Sequence, residues 1–479
     1  MIENSRNSAS SAKVLFIFAA VISIGITYAL QSKDNAFFVL GVCVLFELFV
    51  YLIANKRMMI SLMNYATIFV ITLFVFHFGQ VVLLAFATSQ IQTYQMRIVL
   101  NYFDEETCLH AMRLINMAFC AIAAGTLNTR NVKFVLFKKN NVKVKKYWTE
   151  ENARKYASIM IVATFPIKLF IDVMLVLKSF TIGFFSASHW LQGVPNFIRA
   201  YGNIAFVGIA LLIVALKSQS RKQNFVYMLT ITYLLILMLS GWRAENVCYV
   251  IIITYLYVAS RSEKIKISRI VMISIMAYLL IAVLYAVVAV RFSVDRSFDA
   301  YLDAFLRVTV GDRNVILEAL REYGNTGYTA VCVLEIYLKK FMPSLGESYI
   351  LGLSAIFPNL TGLAGRLTTE STFALTLQDT NSVLSAYHNI GGSIIGEVFF
   401  NFGVGFGIVF SYIIGLFIGK TSTRAQNSIR EHDLYNLSIS IPIMFGTLFW
   451  IRDAFGSGVR EVVWGIAFCW FVRYIRVKR

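Results

Sequence analysis

The chain has 479 residues, of which 58% are hydrophobic and only 15% are charged, and its mean hydropathy is +0.67. This composition excludes an ordinary soluble domain and is typical of a polytopic membrane protein. The formal net charge of +18 would suit nucleic acid. The basic residues, however, concentrate in alternate loops, so the charge indicates membrane topology and we predict no nucleic-acid partner.

Apolar runs of about 20 residues, the length that crosses a bilayer core, recur along the whole chain. They predict an all-α polytopic membrane protein with about twelve transmembrane helices, near residues 13–30, 36–54, 60–87, 106–127, 157–178, 198–216, 225–241, 246–260, 270–290, 390–419, 435–450 and 460–475. Most Lys and Arg residues fall on the side of the membrane that holds both termini. Because cytoplasmic segments carry the excess of positive charge, we expect the N- and C-termini in the cytoplasm.

The fifth predicted span contains a base and an acid, Lys168 and Asp172, four residues apart. Side chains at this spacing meet on one face of a helix. We therefore predict a structural ion pair inside the membrane and favour it over a transport relay.

One outer loop is much longer than the others. It covers residues 291–388, between spans nine and ten, and divides the chain into spans 1–9 (1–290), an extracytoplasmic region, and spans 10–12 (389–479). Its segments have the apolar spacing of helices. A loop of this length in a compact chain is usually functional, so we expect short helices that pack on the membrane body or dip into its interface.

Several basic side chains stand on the outer side, where the positive-inside rule disfavours them. They are Arg243, Arg291, Arg366, Arg452 and Arg460, with Asp453 beside Arg452. Contact with lipid phosphate would explain any one of them, but several on one face favour an anion site. Guanidinium groups bind phosphate through two parallel hydrogen bonds and stay charged, so a pyrophosphate would suit them.

The tenth span opens with HNIGGSIIGEVFFNFGVGFG, residues 388–407, which has six glycines and one carboxylate. On a regular helix Ser393, Glu397 and Asn401 share one face. Two GxxxG pairs, at 392/396 and 403/407, predict close packing against a neighbouring helix. We expect the polar stripe to face a wet cavity and to bind substrate, with Glu397 as the catalytic base. His388, at the mouth, is a candidate base or phosphate ligand.

Nothing in the sequence indicates a cofactor. The chain has no Walker-type loop and no dinucleotide fingerprint, and its six cysteines are scattered without metal-like spacing. We therefore predict no metal and no nucleotide.

The chain resembles the oligosaccharide repeat-unit polymerases, the Wzy-type O-antigen and capsule polymerases, over nearly its whole length. The resemblance rests on the twelve-span topology with its large loop before span ten and on three motifs. These are Gly241-Trp-Arg243, GGSIIGEVFFNFGVG at 391–405, and Ile451-Arg452-Asp453.

The resemblance implies a metal-independent glycosyltransferase of the bacterial cytoplasmic (inner) membrane. A glycan on undecaprenyl pyrophosphate would be transferred, at the outer face, onto a newly flipped lipid-linked repeat unit. Arg243, Arg291 and Arg452 would stabilise the pyrophosphate leaving group, Glu397 would deprotonate the acceptor, and Asp453 would orient Arg452. The implied partners are the lipid-linked donor and acceptor, membrane lipid and a Wzz-type chain-length co-polymerase.

Two other functions stay open from the sequence. A lipid-linked oligosaccharide flippase would also need basic residues for pyrophosphate, although it would not need the large outer loop and should show two similar halves. An O-antigen ligase performs the same type of reaction with another acceptor and depends on an outer-loop histidine, for which His388 is available.

Overall fold

The computed structural model describes residues 2–30, 35–58, 63–86, 103–128, 148–261, 275, 278–279, 281–287, 289–290, 298–310, 314–359, 362–363, 366–367 and 391–477. Every regular element in these ranges is helical. The longer helices are α1 (Ile2–Ala29), α2 (Ala36–Met58), α3 (Tyr65–Phe86), α4 (Glu105–Leu127), α5 (Glu150–Thr181), α6 (Phe184–Gly193), α7 (Asn196–Ala215), α8 (Ser220–Leu239), α9 (Ala244–Ser260), α10 (Phe298–Thr309), α11 (Val315–Tyr323), α12 (Thr326–Cys332), α13 (Glu347–Gly352), α14 (Ile394–Glu431), α15 (Leu434–Trp450) and α16 (Phe455–Val477).

Within the described ranges, nine helices are long and apolar enough to cross a membrane: α1, α2, α3, α4, α5, α7, α8, α14 and α16. The shorter apolar helices α9 and α15 coincide with predicted spans eight and eleven. The prediction of an all-helical polytopic membrane protein is therefore confirmed. The span predicted at 270–290 is described only in part, where 281–287 is helical. The count of twelve and the topology stay predictions.

The predicted ion pair of α5 is confirmed. Lys168 Nζ lies 2.8 Å from Asp172 Oδ1, and both side chains are nearly buried. The hydroxyl of Tyr233, from α8, donates a hydrogen bond to the other carboxylate oxygen of Asp172. The acid is thus satisfied on both oxygens, as a buried charge requires.

The predicted outer loop is helical where it is described. It contains α10 to α13, and α12 continues through a π-turn at Val333–Tyr337. Val331, Cys332 and Val333 are fully buried in the main hydrophobic core, where α12 packs against α4 and α14. The expectation that the loop helices pack on the membrane body is confirmed for α12.

Candidate functional site

Ser393 caps the start of α14. Its hydroxyl accepts a hydrogen bond from the Gly396 N–H at 3.0 Å and lies 2.8 Å from Nε2 of His77 in α3. A serine at this position supplies an acceptor for N–H groups that the first helical turn leaves unpaired. Ser393 is fully buried, so its contacts here fix the helix start.

Glu397, in the first turn of α14, is the centre of a hydrogen-bond network and has no exposed surface. Its Oε2 accepts from Trp450 Nε1 at 2.6 Å and from the Phe455 N–H at 2.9 Å. Its Oε1 accepts from the hydroxyl of Ser348 at 3.1 Å. The carboxylate therefore ties the end of α15, the start of α16 and the start of α13 to α14.

Asn401 extends the same network one turn further along α14. Its Nδ2 donates to Ser348 Oγ at 2.7 Å and to the Glu397 carbonyl at 2.8 Å. Its Oδ1 accepts from Ser344 Oγ at 2.8 Å and from the Ser348 N–H at 3.3 Å. Residues 344–348 are thus held against α14 by both ends of this amide.

The polar stripe does share one helix face, as the sequence predicts, but that face does not border a wet cavity. Ser393, Glu397 and Asn401 are all fully buried, and their polar atoms bond to other protein groups. The expectation of a cavity was wrong because the partners come from segments distant in the chain, which close over the stripe. The catalytic role of Glu397 stays a prediction.

The glycines of this stretch have two kinds of role. A Cβ at Gly392 would collide with the backbone of Asp453, and one at Gly396 would lie 3.3 Å from the Ala330 Cα, so this pair allows close packing as predicted. Gly403 is different because its φ of 65° and ψ of −172° interrupt the helix. Only glycine adopts such a conformation without strain. The predicted 403/407 packing pair is therefore a kink, and a Cβ at Gly407 would lie 2.7 Å from the ring of Phe399.

Two of the predicted arginines converge near Tyr323, the last residue of α11. Arg243 precedes α9 and is 8% exposed, and its Nη2 lies 3.4 Å from Glu322 Oε1. Arg452 occupies the corner between α15 and α16, and its guanidinium makes no hydrogen bond or ion pair with the described residues. It is half-buried. A partly enclosed guanidinium without a partner in the described part of the chain is available to bind an anion.

Electrostatics connects these groups. Burial raises the pKa of the Tyr323 phenol, while the charges of Arg243 and Arg452 act in the opposite direction and that of Glu322 reinforces the shift. The positive charges of both arginines therefore reach the same hydroxyl. That hydroxyl has no hydrogen-bond partner among the described residues. The sequence did not single out Tyr323, since a tyrosine at the end of an amphipathic helix carries no distinctive pattern.

Asp453 and Arg460 bond to backbone and hydroxyl groups. Asp453 Oδ1 accepts from the Ala454 N–H at 2.8 Å and from Ser457 Oγ at 2.7 Å at the start of α16. Burial raises the pKa of Asp453, against these hydrogen bonds and the charge of Arg452. Arg460 donates through Nε to the Ala355 carbonyl and through Nη2 to the Phe357 carbonyl at 3.2 Å. These contacts give both side chains a local structural role, and substrate binding by them stays a prediction.

The other predicted ligands lie elsewhere or outside the described residues. Arg366 is exposed, in the short helical segment that follows Gly362. Arg291 and His388 fall outside the described residues, so their predicted roles are not tested.

A carboxylate pair beside the arginines was missed by the sequence reasoning. Asn203 Nδ2, from α7, donates to Glu245 Oε1 at 2.5 Å and to Glu461 Oε1 at 2.6 Å. The hydroxyl of Tyr249 donates to Glu245 Oε1 at 2.8 Å. Oε2 of Glu245 has no hydrogen-bond partner among the described residues, and the side chain is half-buried. The sequence does contain a signal for this pair: each glutamate stands next to an arginine that the sequence analysis selected. Glu245 follows Arg243 by two residues, and Glu461 follows Arg460 directly.

Among the described residues, the arrangement thus offers the guanidinium of Arg452 without an ion pair, a second guanidinium, and the carboxylate of Glu245 with one oxygen that accepts no hydrogen bond. A family model for the O-antigen polysaccharide polymerase Wzy matches residues 13–479, nearly the whole chain. No curated protein and no solved structure matches it.

Proposed function

The chain belongs to the O-antigen polysaccharide polymerase family, whose members act on lipid-linked oligosaccharide repeat units, and from that premise we propose its reaction. It joins repeat units linked to undecaprenyl pyrophosphate into O-antigen or capsular polysaccharide. The reaction takes place at the outer face of the bacterial cytoplasmic membrane, by glycosyl transfer that needs neither metal nor nucleotide. A Wzz-type co-polymerase sets the chain length.

The observation that carries the proposal is the guanidinium of Arg452, which forms no ion pair among the described residues and whose charge acts on Tyr323 together with that of Arg243, the partner of Glu322. Two guanidiniums in a partly enclosed site match the charge of a pyrophosphate, and their donors match its oxygens. Their placement also suits catalysis. Positive charge fixed before the reaction stabilises the charge that develops on a leaving group.

The bond changes balance without a cofactor. The oxygen of an acceptor hydroxyl forms a bond to the anomeric carbon of the donor glycan, and the bond from that carbon to the pyrophosphate oxygen breaks. Undecaprenyl pyrophosphate leaves with the electron pair, held by Arg243 and Arg452. The hydroxyl proton passes to a carboxylate of the site.

Two carboxylates are candidates for that proton. Oε1 of Glu245 accepts hydrogen bonds from Asn203 and Tyr249, and Oε2 has no partner within the described ranges, which suits a general base. Glu397, the candidate from the sequence, has three protein donors in the present state, so it would accept a proton only after the Ser348 contact opens. We favour Glu245 as the base and Glu397 as the residue that positions the corner carrying Arg452.

The other residues that the sequence predicts as ligands are kept in the proposal. Arg291, Arg366 and His388 belong to the segments around the outer loop and are proposed to contact pyrophosphate or sugar. Ser393, Asn401, Asp453 and Arg460 support the site through the contacts described above.

Purified protein mixed with a synthetic lipid-linked repeat unit tests the function directly. We expect a ladder of polymers without added metal or nucleotide. Arg452→Ala and Glu245→Gln should each lower polymer formation by about 10²-fold or more. A single repeat unit that stays unextended, with correctly folded protein, would contradict the proposal.

A cell that lacks the protein separates the rival functions. Surface glycan with a single repeat indicates a polymerase. Loss of all exported glycan would indicate a flippase, and polymer retained on the lipid carrier would indicate a ligase.

A further inference from the structure

Helices α5, α6 and α7 frame an apolar cleft of about 380 Å³. Pro166, Phe170, Trp190, Val194 and Ile198 are among its lining residues, all apolar or aromatic. The volume lies within the range of small-molecule sites. Phe170 is 65% exposed, so the cleft opens sideways on a stretch of α5 whose exposed large side chains, among them Ile167, Leu169 and Val173, are also apolar.

The lining residues on α5 run from Pro166 to Ile171. Lys178, near the end of the same helix, lies seven residues beyond Ile171. At 1.5 Å per residue this is roughly 10 Å of helix. A lipid chain in the cleft would therefore lie beside α5, with its headgroup towards Lys178.

Cationic groups stand at the rim. Lys178 Nζ lies 5.7 Å from the ring centre of Trp190, which also lines the cleft. Arg199 follows the lining residue Ile198, and its guanidinium makes no hydrogen bond or ion pair with the described residues. The apolar cleft and this rim together match an amphipathic anion, with its chain in the cleft and its phosphate at the rim.

The rim is continuous with the site already described. Asn203, one turn after Arg199 on α7, holds Glu245 and Glu461. The charge of Arg199 also reaches Glu461. On the other side, Trp242 packs against the apolar cluster beneath the cleft and directly precedes Arg243. A ligand in the cleft would therefore lie close to the start of α9, where Arg243 stands.

We propose that the cleft binds the pyrophosphate-proximal isoprenoid units of the lipid-linked donor. Lys178 and Arg199 guide the pyrophosphate towards Arg243 and Arg452. This inference rests on the proposed function for the identity of the lipid, and it adds the route by which the donor enters from the membrane.

A photo-cross-linker tests occupancy without any need for activity. Benzoylphenylalanine is placed at position 198 of the full chain, in nanodiscs of phosphatidylglycerol and phosphatidylethanolamine with added undecaprenyl pyrophosphate. With deuterium-labelled undecaprenyl pyrophosphate as the added lipid, we expect a labelled adduct by mass spectrometry, which excess unlabelled undecaprenyl pyrophosphate suppresses and excess phosphatidylglycerol does not. A phospholipid adduct alone, or suppression by both lipids alike, would show a groove for bulk lipid and overturn the proposal.

A chain-length comparison tests the consequence for turnover. Val194→Trp fills the cleft, and Val162→Trp is the matched control, because Val162 is an exposed apolar residue of α5 that does not line the cleft. For a donor with a full undecaprenyl chain we expect Val194→Trp to lower kcat/KM about tenfold, within the range for apolar-pocket mismatches. A donor that carries a methyl group in place of the isoprenoid chain should be unaffected.

The cross-linking test and the donor comparison distinguish failure of the cleft proposal from failure of the proposed function. An equal loss for both donors, or no loss for either, contradicts the role of the cleft while leaving polymerisation intact. Absence of polymer with wild-type protein contradicts the proposed function, and the cross-linking result still decides whether the cleft binds the lipid.

Discussion

Replacing Glu397 distinguishes a positioning residue from a catalytic base. Glu397→Ala leaves Trp450 Nε1, the Phe455 N–H and the Ser348 hydroxyl without their acceptor. Each unsatisfied buried donor costs about 1–3 kcal/mol, so the loss of three should cost on the order of 3–9 kcal/mol of folding stability. A loss of this size should abolish purification of folded protein.

Glu397→Gln is the matched variant that keeps the shape. Its carbonyl oxygen replaces Oε2 and accepts from Trp450 and Phe455, and its amide group donates to Ser348. Only the charge assistance and the direction of one hydrogen bond change, at a cost of about 1–2 kcal/mol. If Glu397 positions the Arg452 corner, this variant should still make polymer within about tenfold of the wild type.

The assay combines a thermal unfolding curve in detergent with the polymer ladder from a synthetic lipid-linked repeat unit. The refuting result is specific. If Glu397→Gln unfolds at nearly the wild-type temperature but forms polymer at least about 10²-fold more slowly, the carboxylate itself takes part in the chemistry. Glu397 would then be the base, and the Ser348 contact would have to open during turnover.

Three further changes test other parts of the structure. Arg452→Lys keeps the positive charge but loses the bidentate geometry, so we expect the KM for the donor to rise about tenfold while folding is unchanged. Equal donor binding by the wild type and the variant would show that Arg452 does not bind the pyrophosphate. Gly392→Ala should cost about 1–3 kcal/mol of folding stability, because its Cβ would meet the backbone of Asp453. Gly405→Ala is the control: a Cβ there meets open space, so this variant should be neutral or slightly stabilising. Equal unfolding temperatures for the two variants would refute the packing argument. Lys168→Met should destabilise the fold by about 3–5 kcal/mol, because it leaves the buried charge of Asp172 without its partner. Adding Asp172→Leu removes that charge and should recover most of the loss in thermal unfolding. A double variant as unstable as the single one would show that the pair itself is needed.

The sequence predicts most of the fold because membrane spans are local features. A window of about 20 apolar residues specifies a helix that satisfies its own backbone, whatever surrounds it. The Lys168–Asp172 pair is local for the same reason, since four residues on a helix bring two side chains together. These predictions need no knowledge of how the helices pack.

The environment of the site could not be predicted because it depends on distant segments. Glu397 takes its side-chain donors from Ser348 and Trp450, which are 49 and 53 residues away in the chain. Asn203 joins Glu245 and Glu461 across separations of 42 and 258 residues. A helical wheel shows that a polar stripe exists, but only tertiary packing decides whether water or protein covers it.

The hydrogen bonds that the Glu397 carboxylate accepts also affect whether it can neutralise Arg452. Trp450 and the Phe455 N–H flank the corner that carries Arg452, and both are held by Glu397. Asp453, next in the chain, bonds to the Ala454 N–H and to Ser457. Both nearby carboxylates are therefore engaged with uncharged donors and form no ion pair with Arg452.

Arg243 differs, because Glu322 lies 3.4 Å from it and competes with any incoming anion. The first contact of a pyrophosphate should therefore be with Arg452, which has no ion pair with the residues that the structure describes. Arg243 would join once the more negative ligand displaces Glu322. On this reasoning Glu322→Gln should lower the donor KM while Arg452 stays the stronger determinant of binding, and donor titrations of the two variants measure that order. A rise in donor KM in Glu322→Gln would show instead that the pair holds Arg243 in its binding position.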